Sequence, residues 1–481
     1  MKLNLQQWAR AAGATLMAIL LPAIVAPSIR AQTPDAKEQT PDVQQLKERV
    51  KQLEQTVEEL KGQIGVIEEA QKQTTSAPVG ENVATSAPEP APVPTEKPAG
   101  KAQDDKKGGS TFEVYGFAML DMGYQFKQSH PDWFDVIRTT KLPAFKDEFG
   151  PDGHTYFGVR QSRFGVRSST PTKYGELKTQ FEFELFGTGV DAGQTTFRLR
   201  HAYGELGQFG AGQTWSPFMD IDVFPNALEY WGPAGMVFFR NVQARWMPIK
   251  GRSRVTIALE RPGASGDQGV YGDRIELAGI KPKFAWPDLS WEARYGRDWG
   301  YVELAGIFRS IRWVDTIDDA VDLGGSAFGW GLNLSSNINF TKNDIGRFQL
   351  VYGEGIQNYM NDAPVDIGIR NNFGDPHKPI KGVALPVLGV VAFLDHNWNK
   401  RFSSSMGYSL QNISNSDGQA PSAYKRGHYA LGNLLFYPAD KVTVGGEFQW
   451  GRRENFSDNF KADDYRIQIS LKYNFSKLWE F

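Results

Sequence analysis

Seven arginines occupy positions from which they could bind a negatively charged solute. They are Arg163, Arg167, Arg198, Arg200, Arg240, Arg245 and Arg294. In the segments 163–167 and 197–203 the arginines alternate with apolar residues, so an extended chain places them on one polar face. Arginine keeps its charge, and its forked donors suit carboxylates and phosphates. Each single arginine could contact a solute or pair with an acid such as Glu182 or Glu184, and their clustering favours solute contact.

The connection 215–235 combines aromatic residues, prolines and acids. Its candidate functional residues are Trp215, Phe218, Asp220, Asp222 and Glu229. If this loop folds into the interior of a barrel, its acids form one rim of a constriction and the arginines form the opposite wall. A cap outside the barrel and packing against a neighbouring subunit stay open as alternatives, while the composition favours inward folding.

No catalytic arrangement accompanies these charges. The six histidines are scattered without the spacing of metal ligands or catalytic bases. The chain contains no G-x-S-x-G elbow, no phosphate-binding glycine loop and no H-E-x-x-H helix. It has no cysteine, and its net charge of −2 gives no bulk attraction to nucleic acid. We therefore expect no catalytic residue, no metal, no cofactor and no nucleic-acid partner.

The elements that position the arginines are predicted to be strands. The segment 465–481 has apolar residues at every odd position except Lys477 and polar residues at the even positions up to Ser476. A period of two indicates a strand with one apolar and one polar face. The pattern recurs in the segments 112–126, 177–185, 328–339 and 442–450, whose polar faces are too polar for a protein core. A soluble sandwich stays open for any one strand taken alone.

Together the strands predict an all-β fold, a 16-stranded antiparallel transmembrane β-barrel that is apolar outside and polar inside. Seven short connections alternate with eight long ones, which implies sixteen strands around a water-filled interior. We expect the last strand to pair with the first, because an open edge would be hazardous. With a mean hydropathy of −0.44 and no run of about 18 apolar residues after the N-terminus, the chain is not a helical membrane protein.

Three segments precede the barrel. Residues 1–31 predict an export signal, with an anchor helix as the alternative, and residues 72–111 predict a proline-rich, disordered linker. Residues 40–71 predict a short α-helical coiled coil in the periplasm, because apolar residues repeat at alternating spacings of three and four. Its seam comprises Val43, Leu46, Val50, Leu53, Val57, Leu60, Ile64 and Ile67. The barrel is expected to occupy residues 112–481.

The fourth strand is expected to direct Phe197, Leu199 and Tyr203 outward. His201 and Glu205 fall on the same face, which favours a contact with another subunit there rather than with lipid. This assignment assumes unbroken alternation along the strand.

Four stretches of the chain carry a resemblance to a known family. They are VYGFAMLDMGYQF (114–126), RQSRFGVRSSTPTKYGELKTQFEFELFG (160–187), FRLRHAYGELGQFGAGQTWSPFMD (197–220) and PNALEYWGPAGM (225–236). With them the chain resembles the DcaP-like trimeric outer-membrane porins. The resemblance implies a sixteen-stranded barrel, a homotrimer, an inward third loop and diffusion of small anionic solutes, dicarboxylates especially. It places that family's arginine ladder on Arg163, Arg167, Arg198 and Arg200.

The function that follows from these expectations is passive, anion-leaning diffusion across the bacterial outer membrane. The alternative is a structural envelope protein, in which the coiled coil links the outer membrane to the cell wall and the barrel is an anchor. The expected partners are small anionic solutes, outer-membrane lipid, two further copies of the chain, and the barrel-assembly machinery through the terminal Phe481.

Overall fold

The strands pair into a closed ring. In the computed structural model, which describes residues 109–481, β1 (Thr111–Gln125) pairs antiparallel with β16 (Lys461–Glu480) on one side and with β2 (Arg163–Thr172) on the other. The predicted sixteen strands and the pairing of the last strand with the first are therefore confirmed. The predictions for residues 1–31, 40–71 and 72–108 lie outside the described residues.

The remaining strands follow one another around the ring, each antiparallel to the next. They are β3 Gly175–Phe186, β4 Thr195–Leu206, β5 Phe209–Trp215, β6 Arg240–Ile249, β7 Arg254–Glu260, β8 Asp288–Arg297, β9 Gly300–Asp315, β10 Gly325–Asn339, β11 Asp344–Glu354, β12 Pro386–Asn399, β13 Phe402–Ile413, β14 Tyr424–Ala439 and β15 Val442–Asn455. Eight long connections lie at one end of the barrel and seven short turns at the other, as predicted.

Short strands extend the long connections. His154–Gly158 precedes β2 in the chain and pairs with Asp121–Gln125, the last residues of β1. Ile280–Pro282 pairs with the end of β9. Ile367–Asn371 and Ile380–Ala384 form a separate hairpin. No helix within residues 109–481 is long and apolar enough to cross a membrane.

The side chains are polar inside and apolar outside. Along β16, Arg466 and Gln468 are 0% exposed, whereas Ile467 and Ile469 are 45% and 47% exposed. This is the reverse of a soluble barrel, and it fits a barrel whose outer surface contacts acyl chains.

The barrel interior was predicted to be filled with water, but packed loop residues fill part of it. The first (126–153), third (216–239) and sixth (355–385) outer loops contribute residues to one buried apolar cluster with the inner faces of β9, β11 and β12. There Val351 and Val391 point inward and are buried. The physical reason is that apolar loop residues need apolar partners on the wall they contact.

A bulge in β4 overturns part of the expected alternation. His201 lies opposite Glu182 while Leu199 lies opposite Phe183, so Arg200 is an extra residue in the ladder. Opposite residues share a face, and the extra residue therefore turns His201 and Tyr203 inward. The outward assignment of Tyr203, His201 and Glu205 was wrong. His201 is 3% exposed, and its Nδ1 lies 3.0 Å from the Thr214 hydroxyl oxygen on β5.

Candidate functional site

The third outer loop, called here the inward loop, crosses from the β5–β6 side of the barrel to the opposite wall. Its first anchor is Asp220, which accepts hydrogen bonds from Arg294 (2.6 Å), Tyr301 (2.7 Å) and Ser335 (2.6 Å). Burial alone would raise the pKa of Asp220, but the Arg294 guanidinium and these bonds lower it. The charged carboxylate is therefore the form that fixes the loop.

Three predicted site residues meet at this anchor, so the acids and the arginine do not face each other across a gap. Arg294 on β8 contacts Asp220 and Asp222 of the loop, the latter at 2.5 Å, and Glu303 of β9 at 2.6 Å. Phe218, beside this anchor, is fully buried in the apolar cluster. These side chains hold the loop against the wall.

The second anchor lies near the middle of the loop. The backbone N–H groups of Leu228 and Glu229 donate to the Glu447 carboxylate on β15 at 2.8 and 3.0 Å. The Glu229 carboxylate in turn accepts from the Ile137 N–H (3.1 Å) of the first outer loop and from the Tyr429 hydroxyl (3.2 Å) of β14. Burial raises the pKa of Glu229 to about 7.

Four of the predicted arginines converge on two glutamates of β3. Arg200 contacts Glu182 and Glu184, each at 2.6 Å. Glu184 also forms ion pairs with Arg198 at 2.9 Å, and with Arg163 and Arg240 at 3.7 Å each. The cluster therefore brings four guanidinium groups around two carboxylates of β3. Alternation on β2, β3 and β4 brings Arg163, Arg198 and the glutamates to one face, and Arg200 joins them at the bulge.

A cavity of about 410 Å³ opens beside this cluster. Its charged lining residues are Arg138, Arg198 and Arg240, and its aromatic lining residues are Tyr230, Trp231, Phe238 and Phe239. The Arg240 guanidinium lies 4.6 Å from the Trp215 ring centre, and its Nη1 has no hydrogen-bond partner within residues 109–481. A buried donor without a partner is costly, and an anion or a water in the cavity could accept from it.

Arg138 was missed by the sequence analysis. It lies in the first outer loop between the Trp133 and Trp231 rings, 4.1 Å from each centre, and its Nε donates to Asp362 of the sixth outer loop at 3.0 Å. Trp231 belongs to the inward loop, so one arginine joins three loops at the cavity wall. No repeat or spacing in the segment 126–153 distinguishes Arg138 from other loop arginines.

The other predicted residues lie away from the cavity. Arg167 is 55% exposed and contacts Glu113 of β1 at 2.6 Å. Arg245 donates to Gln243 at 3.0 Å and lies over the Tyr203 ring. No group of three or more residues suited to a metal ion occurs within residues 109–481.

Comparisons with known proteins place this geometry in a family. The model of the DcaP outer membrane protein family matches residues 29–475, which confirms the resemblance. The outer membrane channel DcaP of Acinetobacter baumannii is 18% identical, with a TM-score of 0.63 over 78% of this chain and 100% of that chain. An anion-selective porin from Comamonas acidovorans is 10% identical, with a TM-score of 0.50 over 76% of this chain and 100% of that one. No curated protein matches the chain significantly.

Proposed function

The chain belongs to the DcaP outer membrane protein family, and we propose that its porin-like barrel is a diffusion channel for small, preferentially anionic solutes of the dicarboxylate type. The narrowest part of the path lies between the inward loop and the cluster of Arg163, Arg198, Arg200 and Arg240. No chemical step is needed, because selectivity comes from the width of the path and the electric field within it.

The observation that carries the proposal is the excess of positive charge beside the cavity. Arg198 and Arg240 line the cavity and no carboxylate of residues 109–481 does, and both of them depend on Glu184, which Arg200 also contacts. Arg240 has unused hydrogen-bonding capacity at the cavity wall. Its closest approach to Glu184 is 3.7 Å, and its Nη1 lacks a hydrogen-bond partner among the described residues. In a narrow, low-dielectric passage such a charge raises the local concentration of anions and lowers that of cations.

The cavity also suggests how a solute with two carboxylates would be held. Arg198 and Arg240 lie on one wall, and Arg138 belongs to the first outer loop. Arg138 is neutralised by Asp362, so the first pair supplies most of the attraction. The aromatic rings of Trp231 and Phe239 leave room for the apolar part of a small diacid. Of the remaining predicted arginines, Arg245 forms no ion pair within residues 109–481 and is proposed to extend the positive field along the wall. Arg167 is paired with Glu113, and Arg294 with Asp220, Asp222 and Glu303, so these two are proposed to brace the wall.

The proposal extends to assembly and to the N-terminal region. We propose a homotrimer in the bacterial outer membrane, with residues 1–31 removed on export and residues 40–71 forming a coiled coil in the periplasm. The mass of the detergent-solubilised complex tests the trimer. A monomeric mass would contradict it without affecting conduction.

Recording from single channels in planar bilayers tests conduction. The purified full chain in a KCl gradient is expected to give open steps whose reversal potential has the sign of anion selectivity, and succinate should reduce the chloride current. A cation-selective channel would contradict the role of the arginines. A barrel that carries no current would favour the structural envelope role.

A further inference from the structure

Three basic residues lie on the outer wall of the barrel, at the end that carries the long loops. They are Arg312 near the end of β9, and Lys281 and Lys283 in the adjoining segment 280–283. We call them the outer-rim patch. They face away from the barrel interior and have no part in the proposed solute path.

The facing of the patch follows from strand pairing. Along β9, Arg309 and Ile311 are buried inside, so Arg312 takes the outward position, as Phe308 does. Pro282 lies opposite Trp313, and the Lys283 N–H donates to the Arg312 carbonyl at 2.8 Å. Lys283 is thus directly opposite Arg312 and shares its outward face. Lys281 lies opposite Val314 on the same face.

The patch carries more positive charge than its surroundings neutralise. Within residues 109–481, Arg312 and Lys283 make no ion pair and no side-chain hydrogen bond, while the Lys281 ammonium donates only to the Ala278 carbonyl, at 3.3 Å. Like charges directly opposite each other in a ladder destabilise the pairing. A bound anion between the two side chains would remove that cost.

The position of the patch identifies the kind of anion. The outward residues of β9 from Val302 to Phe308 are apolar, and the Phe308 ring stacks on Phe328 of β10 with centroids 6.1 Å apart. A transmembrane strand crosses the hydrocarbon layer in about 9–11 residues. Counted from Gly300, the crossing ends near Ser310, so Arg312 lies at the level of the lipid headgroups.

We propose that the outer-rim patch binds the phosphate of a lipid headgroup in the outer leaflet. The Arg312 guanidinium offers forked donors to phosphate oxygens, and Lys283 adds a second charge. Ser326, opposite Arg312 on β10, places a hydroxyl on the same face. The acyl chains of such a lipid would lie along Phe308 and Phe328. This binding does not depend on conduction, so the two proposals fail separately.

Native mass spectrometry of the full chain in neutral detergent, titrated with lipid A, tests the proposal. Lipid A is a diglucosamine lipid with two phosphate groups. The double variant Lys283→Gln/Arg312→Gln should bind it roughly tenfold to thirtyfold more weakly, since each of the two basic residues contributes about threefold to fivefold near a membrane surface. The control Lys342→Gln/Lys400→Gln removes the same charge from exposed short turns at the other end of the barrel. The control should bind as the wild type does.

Two comparisons separate a lipid site from a general anion site. Dephosphorylated lipid A should bind the wild type about as weakly as lipid A binds the double variant. Millimolar inorganic phosphate should not displace lipid A, and complete displacement would overturn the assignment to lipid. Equal affinity of the wild type and the double variant would overturn the role of the patch. If the double variant does not fold by circular dichroism, Lys283→Gln alone carries the same test.

Discussion

Replacing Arg240 with glutamine should weaken anion selectivity without unfolding the barrel. Arg200 and Arg198 still hold Glu184 at 2.6 and 2.9 Å, so the variant leaves no buried carboxylate unpaired. The variant does remove one positive charge from the cavity wall. At about 5 Å, a unit charge acts on an anion with about 0.8 kcal/mol in a water-like medium and about 3 kcal/mol at an effective dielectric constant of 20. The smaller value corresponds to about a fourfold loss of anion occupancy.

Reversal potentials in a KCl gradient measure this effect directly. We expect the anion-to-cation permeability ratio of Arg240→Gln to fall at least about fourfold relative to the wild type. Arg252→Gln is the matched control, because Arg252 lies in an exposed short turn and pairs with Asp298. Its permeability ratio should not change. Equal ratios for the wild type and Arg240→Gln would refute the reasoning, because the cavity charge would then lie off the ion path.

Three further predictions concern the inward loop and the N-terminal region. Burial raises the pKa of Glu229 from 4.5 to about 7. The contribution of Glu229 to folding stability is therefore present at low pH and is lost as the pH rises between these two values. Glu229→Gln should remove that part of the pH dependence of thermal unfolding in detergent, and an unchanged pH profile would contradict this prediction. Asp220→Asn should cost about 2–3 kcal/mol of unfolding free energy, because the carboxylate that accepts hydrogen bonds from Arg294, Tyr301 and Ser335 is lost. It should also give larger, noisier single-channel currents; a stable variant with wild-type currents would contradict the anchor. Deleting residues 32–108 should leave single-channel conductance unchanged, since the ring closes through β1 and β16, and altered conductance would place part of that segment in the path.

Alternation made the barrel predictable from the sequence. A period of two in the segment 465–481 was sufficient to assign a strand, a facing and a closing partner, because side chains must alternate along any extended chain. The convergence of Arg163 and Arg198 on Glu184 follows from the same rule applied to three neighbouring strands.

The interior could not be predicted with the same rule. The bulge at Arg200 reverses the facing of Tyr203, and an extra residue in a ladder leaves no fixed signature in the sequence. Arg138 and Asp362 meet through loops whose paths depend on packing inside the finished barrel. One signal of the filled interior was present in the sequence. The segment 387–394 is apolar at both odd and even positions, which is typical of a strand covered on both faces. Val391 does contact the loop residues inside.

The central claim is that ions pass the arginine-lined cavity. The chain has no cysteine, so a thiol introduced at Thr188, which lines the cavity, is unique. Adding a bulky methanethiosulfonate reagent to Thr188→Cys during single-channel recording should reduce the current in discrete steps, while Val190→Cys, fully exposed at the tip of the same outer loop, should keep its current. A modified Thr188→Cys channel with undiminished current would contradict the claim, because the ions would then cross the barrel by another route.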